Sequence, residues 1–308
     1  MQTLFSVLPK PTQYQPDLPR FLLYTKNFTA QKLTQFCQQA EQVIVLAEWD
    51  IFDYHCILLQ HPTPQQYLSL AHQCEFDFFQ LTTTPLLEQA GLLVMDMDST
   101  AIEIECIDEV AKLAGTGEMV AAITESAMRG ELDFKQSLRR RVATLKGAPA
   151  TILDQVRNHL PIMSGLERTL AELQKLGWKV AIASGGFTYF AEVLQQKFGL
   201  IAVYANRFQI QDDFLTGEVE GDIVDAQYKA NVLQQLAQQH HIAISQCIAI
   251  GDGANDLLMM QAAGLGVAYH AKPKVQQQAQ TMVNFADLTA LLCILSANQQ
   301  DFYFQQQK

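Results

Sequence analysis

Asp96 and Asp98 stand two residues apart just past the apolar run 91–95. A carboxylate at the end of a buried strand is costly unless it binds something. Two so close repel each other and invite a cation. Hard divalent ions, Mg²⁺ or Mn²⁺, take oxygen ligands from one or two carboxylates together with water and substrate phosphate. One carboxylate of such a pair can attack phosphorus to give an acyl phosphate. The other can protonate a leaving oxygen and later deprotonate water. Taken alone, the pair is equally well explained as turn or capping aspartates.

Three further places repeat the theme. Ser184-Gly185-Gly186 closes the apolar run 179–183. A hydroxyl and glycine N–H groups there can hold phosphate oxygens, particularly where a helix begins. Lys229 falls near the start of a helix-patterned stretch, where the macrodipole disfavours a positive side chain; a bound phosphate would account for it. Asp252, Asn255 and Asp256 cluster within 251–256, more polar groups than one helix cap needs. Metal ligation with supporting hydrogen bonds is their natural use. A plain turn, a solvated lysine and an elaborate cap are the ordinary explanations of each by itself. Order and placement outweigh them. Nucleophile, acid/base, phosphate clamp and metal ligands are the set that in-line phosphoryl transfer requires.

The elements that must position these groups follow from the apolar runs. Runs at 91–95, 179–183 and 247–251, with a weaker one at 264–268, read as strands buried on both faces, which belong to parallel sheets. Helical segments at 165–176, 189–198 and 228–239 separate them. The expectation is an α/β, doubly wound parallel-sheet core with ligands beyond the carboxyl ends of its strands. From the first strand to the second the chain is far longer than a crossover needs. Helical periodicity at 107–114, 118–128, 134–145 and 151–159 predicts an inserted helical cap over 107–162, with the core at 87–106 and 163–308. Residues 1–86 read as a separate small α+β domain. It has a Pro-rich extended lead-in over 1–20, a strand at 21–24, a helix at 29–42 and strands at 43–47 and 54–60; 71–81 is ambiguous. An open sheet with helices on one side would fit, and nothing in it suggests chemistry.

Hydrophobic residues make up 49% of the 308 and charged ones 17%, a globular balance. The net charge of −11 repels phosphate backbones, and the one dense basic run, Arg139-Arg140-Arg141, is too short to form a nucleic-acid surface. Residues 1–20 lack the basic start and apolar stretch of a secretory signal. No apolar run reaches the roughly 18 residues of a membrane span. Cys37, Cys56, Cys74, Cys106, Cys247 and Cys293 form no C-x-x-C pair and no metal-ligand spacing. Reduced thiols of a cytoplasmic protein are the expectation. No motif fixes the oligomeric state; a homodimer is one arrangement left open.

At these positions the chain resembles the haloacid-dehalogenase (HAD) superfamily. Its D-x-D-x-T, strand-end Ser, Lys and G-D-x-x-N-D motifs are matched at 96–100, Ser184, Lys229 and 251–256. The acid at Asp98 sets the chain apart from the related P-type ATPases. Within the superfamily the resemblance is strongest to the phosphoserine phosphatase family, across roughly residues 90–290. Glu105 stands where that family keeps its amino-group ligand. Met128-Arg129-Gly130-Glu131-Leu132-Asp133-Phe134, continuing from Gln136 to Arg141, resembles its cap motif.

The resemblance implies a Mg²⁺-dependent hydrolase of O-phosphoserine, with Asp96 as nucleophile and Asp98 as acid and base. Metal ligands would be the Asp96 and Asp252 carboxylates and the Asp98 main-chain carbonyl, with Asp256 holding metal-bound water. Ser184, Gly185, Lys229 and Asn255 would serve the phosphate. Arg141 would grip the carboxylate, Glu105 the ammonium, and Met128 and Phe134 would exclude water. The chemistry of a phosphorylated amino acid agrees: two anions and one cation call for Arg141, the Ser184/Lys229 pair and Glu105. Three rivals stay open at this point. They are phosphoryl transfer to another alcohol such as homoserine, a broader phosphomonoesterase, and an amino-acid sensor whose residues 1–86 form a degenerate ACT-like module.

Overall fold

The computed structural model describes residues 8–307. The lead-in and signal readings over 1–20 therefore lie partly outside the described residues; from 8 to 19 the backbone makes turns without helix or strand. Strands β1 (Arg20–Thr25), β2 (Ile44–Ile51), β3 (Tyr54–Gln60) and β4 (Asp77–Gln80) then pair antiparallel in the order β2-β3-β1-β4. Helices α1 (Ala30–Gln39) and α2 (Leu68–Gln73) complete a β-α-β-β-α-β succession of the split, ferredoxin-like kind. The ambiguous stretch resolves into the end of α2 and β4. Side chains alternate across the sheet: Phe21, Leu23, Ile57 and Leu59 pack with Phe36 of α1 and Ala71 of α2. Leu22, Tyr24, Cys56 and Leu58 point the other way, into the larger core.

The second sheet holds the chemistry. Its strands are β5 (Leu92–Met95), β6 (Lys179–Phe187), β7 (Ala202–Gln211), β8 (Phe214–Glu220), β9 (Cys247–Gly251), β10 (Leu265–Tyr269) and β11 (Thr281–Val283). They run in the order β11-β10-β9-β5-β6-β7-β8, parallel throughout except for the β7–β8 hairpin. Between β5 and β6 come the helices α3 (Cys106–Leu113), α4 (Gly117–Met128), α5 (Phe134–Ala143) and α6 (Thr151–Arg157). After them follow α7 (Leu166–Lys175), α8 (Thr188–Phe198), α9 (Ala226–Gln239), α10 (Leu257–Ala262), α11 (Pro273–Gln276) and α12 (Ala290–Gln306). Leu92, Val94 and Ala249 pack on one face with Val232 and Leu233 of α9 and Met259 of α10. Leu93, Met95, Val180 and Ile248 share the opposite cluster with Leu170 of α7 and Leu194 of α8. Burial on both faces is why these strands read as unbroken apolar runs. The chain proceeds from β5 to β6 on one side and returns to β9 on the other. That reversal opens a crevice beyond the carboxyl ends of β5 and β9.

Helices α3 to α6 form the insertion above this crevice. Its two stems are stitched together where Glu103 N donates to Pro161 O (3.0 Å) and Met163 N donates to Ala101 O (3.0 Å). The β7–β8 hairpin leans on the insertion through Gly147 N to Leu215 O (2.8 Å), Leu215 N to Ala148 O (2.9 Å) and Ala150 N to Asp213 O (2.8 Å).

The first sheet is not covered on one side only. Helix α12 is buried along nearly its whole length, polar positions Ser296, Asn298, Gln300 and Asp301 included, as befits a helix surrounded by protein. It carries Leu291, Leu292 and Leu295 into the cluster shared by Leu22, Tyr24 and Leu58. Trp49 donates to Ser296 Oγ (3.0 Å), and Arg20 pairs with Asp301 (2.8 Å). The amino-terminal sheet thus sits between its own helices and the carboxyl-terminal helix. Among the described residues no helix is long and apolar enough to cross a membrane.

Candidate active site

Strand β5 delivers Asp96 to the crevice, tied in by its own N–H to Ile250 O of β9 (3.0 Å). Its Oδ1 accepts from Met97 N (2.8 Å) and lies 3.0 Å from Lys229 Nζ. Lys229 reaches it because Asp225 caps α9, its side chain accepting from Tyr228 N (2.9 Å), which starts the helix one turn before the lysine. The lysine is fully buried, with Nζ also 2.7 Å from Asp256 Oδ1. Burial works to lower its pKa, but Asp256 and Asp96 more than offset that and hold it charged.

Asp252 ends β9 beside this pair, and carboxylate oxygens of Asp96, Asp252 and Asp256 lie within 4.8 Å of one another. The crowding is costly. Burial first, then Asp96 and Asp256, push the Asp252 carboxyl up to about 8. Burial and Asp96 push Asp256 up to about 6 despite the opposing pull of Lys229. One lysine does not balance three acids, and the donors are hard oxygens, so the cluster fits a divalent cation. Both oxygens of Asp256 are already engaged, Oδ1 by Lys229 and Oδ2 by Gly253 N (3.0 Å). That favours Asp96 and Asp252 as direct ligands and leaves Asp256 to support them.

Asp98 lies outside this trio of carboxylates. Its Oδ1 faces Cys106 N (3.4 Å), and a Cβ at Gly186 would come within 2.6 Å of its Oδ2, so that glycine gives the carboxyl its space. Burial, then Glu105 and then Asp96, hold its pKa well above the usual carboxylate range. A proton therefore resides there readily. Ser99, in the left-handed region (φ 56°), turns the chain so that its Oγ donates to Glu105 Oε1 (2.8 Å). Glu105 is exposed, though the protein around it takes away part of its water. That loss raises its pKa against the pull of the Ser99 hydrogen bond.

At the end of β6, Gly186 N donates to the buried Ser184 Oγ (2.9 Å), which leaves the serine's own O–H available as a donor. Asn206 of β7 holds this loop: its Nδ2 donates to Gly185 O (2.7 Å) and Gly186 O (3.2 Å), and its Oδ1 accepts from Val224 N (2.9 Å). A Cβ on Gly185 would meet Phe134 Cζ at 2.7 Å and approach Asn255 Nδ2 at 3.7 Å. The absent side chain therefore lets the insertion and β9 side of the site close on this loop.

Phe134 is placed by a capping box at the start of α5. Asp133 Oδ1 accepts from Gln136 N (2.8 Å), and Gln136 Oε1 accepts from Asp133 N (3.3 Å). Phe134, Leu138 and Arg141 fall at helical spacing on the inner face. Arg141 is half-buried while Arg139 and Arg140 are exposed, which separates it from a merely solvated run. Met128, at the end of α4, is 62% exposed on the rim, its Sδ 3.0 Å from Lys272 Nζ beyond β10. The structure thus gathers Asp96, Asp98, Glu105, Ser184, Gly185, Lys229, Asp252, Asn255 and Asp256 at one crevice, faces them with Phe134 and Arg141, and leaves Met128 at the edge.

Comparisons with known proteins bear on this arrangement. Residues 93–261 match the model of the haloacid dehalogenase-like hydrolases. The chain belongs to that family. The phosphoserine phosphatase of Haemophilus influenzae is 59% identical over 279 residues, covering 90% of this chain and 89% of that protein. The phosphoserine phosphatase of Vibrio cholerae is 53% identical over 253 residues, covering 82% and 77%. Among solved structures, the unliganded probable phosphoserine phosphatase from Vibrio cholerae superposes with a TM-score of 0.85 at 45% identity, over 99% of this chain and 93% of that one. A substrate-bound phosphoserine phosphatase complex gives 0.63 at 38% identity, over 66% of this chain and 97% of that one.

For a haloacid dehalogenase-like hydrolase two contributors went unread in the sequence. Ser99 was visible only as the filler of an acidic motif. Asn206 lies mid-strand, and no spacing signal marks a carboxamide there.

Proposed function

We propose that this chain hydrolyses O-phosphoserine to serine and phosphate by way of a phosphoaspartate on Asp96. The observation that carries the reading is one cleft with two unlike ends. At one end Asp96 is held against Lys229, and Ser184 keeps its own O–H available to donate. At the other, Glu105 and Arg141 offer the charges an amino acid needs. The relatives described above are phosphatases of the same substrate.

Phosphate oxygens are received by Lys229, the Ser184 O–H and the Gly185 N–H, with Asn255 beside them. Asp96 Oδ1 is engaged by Lys229 and Met97 N, which leaves Oδ2 free to attack. A bond forms from Oδ2 to phosphorus as the ester P–O bond breaks. The departing serine oxygen takes the proton of Asp98, whose buried carboxyl favours holding one. Asp98, now a carboxylate, removes a proton from water as that water attacks phosphorus. Phosphate leaves, and Asp96 and Asp98 return to their starting states. Asp96, Asp252 and the Asp98 main-chain carbonyl would hold Mg²⁺, and Mn²⁺ meets the same donor preference. When bound, the ion offsets the negative charge that phosphate adds to the carboxylates. Phe134 on Gly185 excludes water from the first step, and the insertion must lift to release serine.

Phosphate release from phosphoserine, phosphothreonine, phosphoethanolamine and an aryl phosphate tests this. Phosphoserine should show the highest kcat/KM, a chelator should abolish turnover, Mg²⁺ should restore it, and added homoserine should capture no phosphoryl group. Equal rates on the aryl phosphate, or turnover indifferent to chelator, would sink the reading.

A further inference from the structure

Asp108 lies in the first turn of α3, and Arg141 lies near the end of α5. The Oδ1 of Asp108 and the Nε of Arg141 are both buried and without a hydrogen-bond partner. Among the described residues the two side chains form no ion pair with each other, although each is among the charges that act on the other. Arg141 is the charge that acts most on the Asp108 carboxyl, ahead of Lys112 on the same helix. Asp108 is second only to Glu105 in acting on Arg141. A buried donor and a buried acceptor left without partners are unfavourable unless something completes them.

A guanidinium presents more than one edge, and a carboxylate bound side-on fills a single edge. Glu105 is a poor candidate for the remaining edge, since Ser99 Oγ holds its Oε1 and its other oxygen is the one left for the substrate ammonium. A role for Asp108 in complementing the α3 dipole would account for acidity at that turn. Its neighbour Glu109 meets the same need at the surface, paired with Lys112 at 2.5 Å. Neither role requires a buried oxygen without a partner.

We propose that Asp108 is a positioning residue for substrate recognition, taking the Nε–H edge of Arg141 while the substrate carboxylate takes the other. The inference rests on the phosphoserine reading above. Asp108 touches neither phosphorus nor the leaving oxygen, so it governs affinity for the carboxylate and not the chemical step.

The test measures KM and kcat for phosphoserine and for phosphoethanolamine, which keeps the ammonium and lacks the carboxylate. Asp108→Asn should raise KM for phosphoserine roughly tenfold, the scale of a lost charge-assisted hydrogen bond, with kcat changed less than about twofold. KM for phosphoethanolamine should move much less. In an Arg141→Ala background Asp108→Asn should add nothing further, because the partner through which it acts is gone. Asp108→Glu, which keeps the charge on a longer arm, should recover part of the loss and guards against a folding defect in the amide variant. Equal KM increases on both substrates, additivity with Arg141→Ala, or no recovery in Asp108→Glu would each overturn the proposal. If the unaltered chain fails to prefer phosphoserine over phosphoethanolamine, the functional reading itself is wrong. If that preference stands in the unaltered chain and survives Asp108→Asn, only the role of Asp108 is.

Discussion

Asn206 fixes three backbone groups with one side chain, two carbonyls of the Ser184 loop and the N–H of Val224. By pinning the Gly185–Gly186 peptide it keeps the Gly186 N–H on Ser184 Oγ and so holds the serine side chain in place. Asn206→Ala should lower kcat/KM about ten- to hundredfold on phosphoserine and aryl phosphate alike, since misplaced phosphate contacts penalise every phosphomonoester. Steady-state kinetics on both substrates check this; a drop in melting temperature with unchanged kinetics would contradict it. Contrast with Asp96, Ser184 and Asp252 explains what the sequence could reveal. Each of those ends an apolar run, where a polar group is conspicuous. Lys229 was conspicuous for the opposite reason, as a cation at the wrong end of a helix. Asn206 interrupts nothing that a pattern would flag.

The same contrast holds for whole elements. Strands β5, β6 and β9 and the helices of the insertion were readable because burial on two faces, or on one stripe, leaves a period in the residue types. Helix α12 leaves none. Ser296, Asn298, Gln299 and Gln300 are buried along with its leucines, each satisfied by a specific partner, so no stripe emerges. The β7–β8 hairpin was also unread. Few of its side chains are fully buried, and it is held by backbone bonds to 147–150 that have no side-chain signature. The first sheet's strands were legible, yet its outer cover was not, because that cover comes from the far end of the chain.

Over the whole molecule, the segment after β11 joins the parts. Asp77 of β4 accepts from the main-chain N–H groups of Asn284 (2.7 Å), Phe285 (3.2 Å) and Ala286 (2.7 Å). Asp287 then receives Lys26 (2.6 Å) from the amino-terminal sheet, Arg168 (3.0 Å) from α7 and Ser164 (3.2 Å) at the foot of the insertion. Gly165, at φ 78°, leaves the space a Cβ would take from it. Burial alone would raise the Asp287 carboxyl, but Lys26 and Thr289 hold it well below the ordinary range. A carboxyl depressed in the folded state stabilises that state above its unfolded value of about 3.9, and the contribution is lost as pH falls toward the folded value. Asp287→Asn should therefore melt below the unaltered chain at pH 7, and the gap should narrow as pH drops from about 5 toward 3. Melting curves across that range decide it; a gap that stays constant would contradict this account of Asp287.

The central claim is covalent chemistry at Asp96, and acid-quenching the chain during turnover of ³²P-labelled phosphoserine tests it most directly. The account predicts label on the peptide containing Asp96, released by hydroxylamine, and none in Asp96→Asn. Label on any other residue, or sustained turnover by Asp96→Asn, would contradict it.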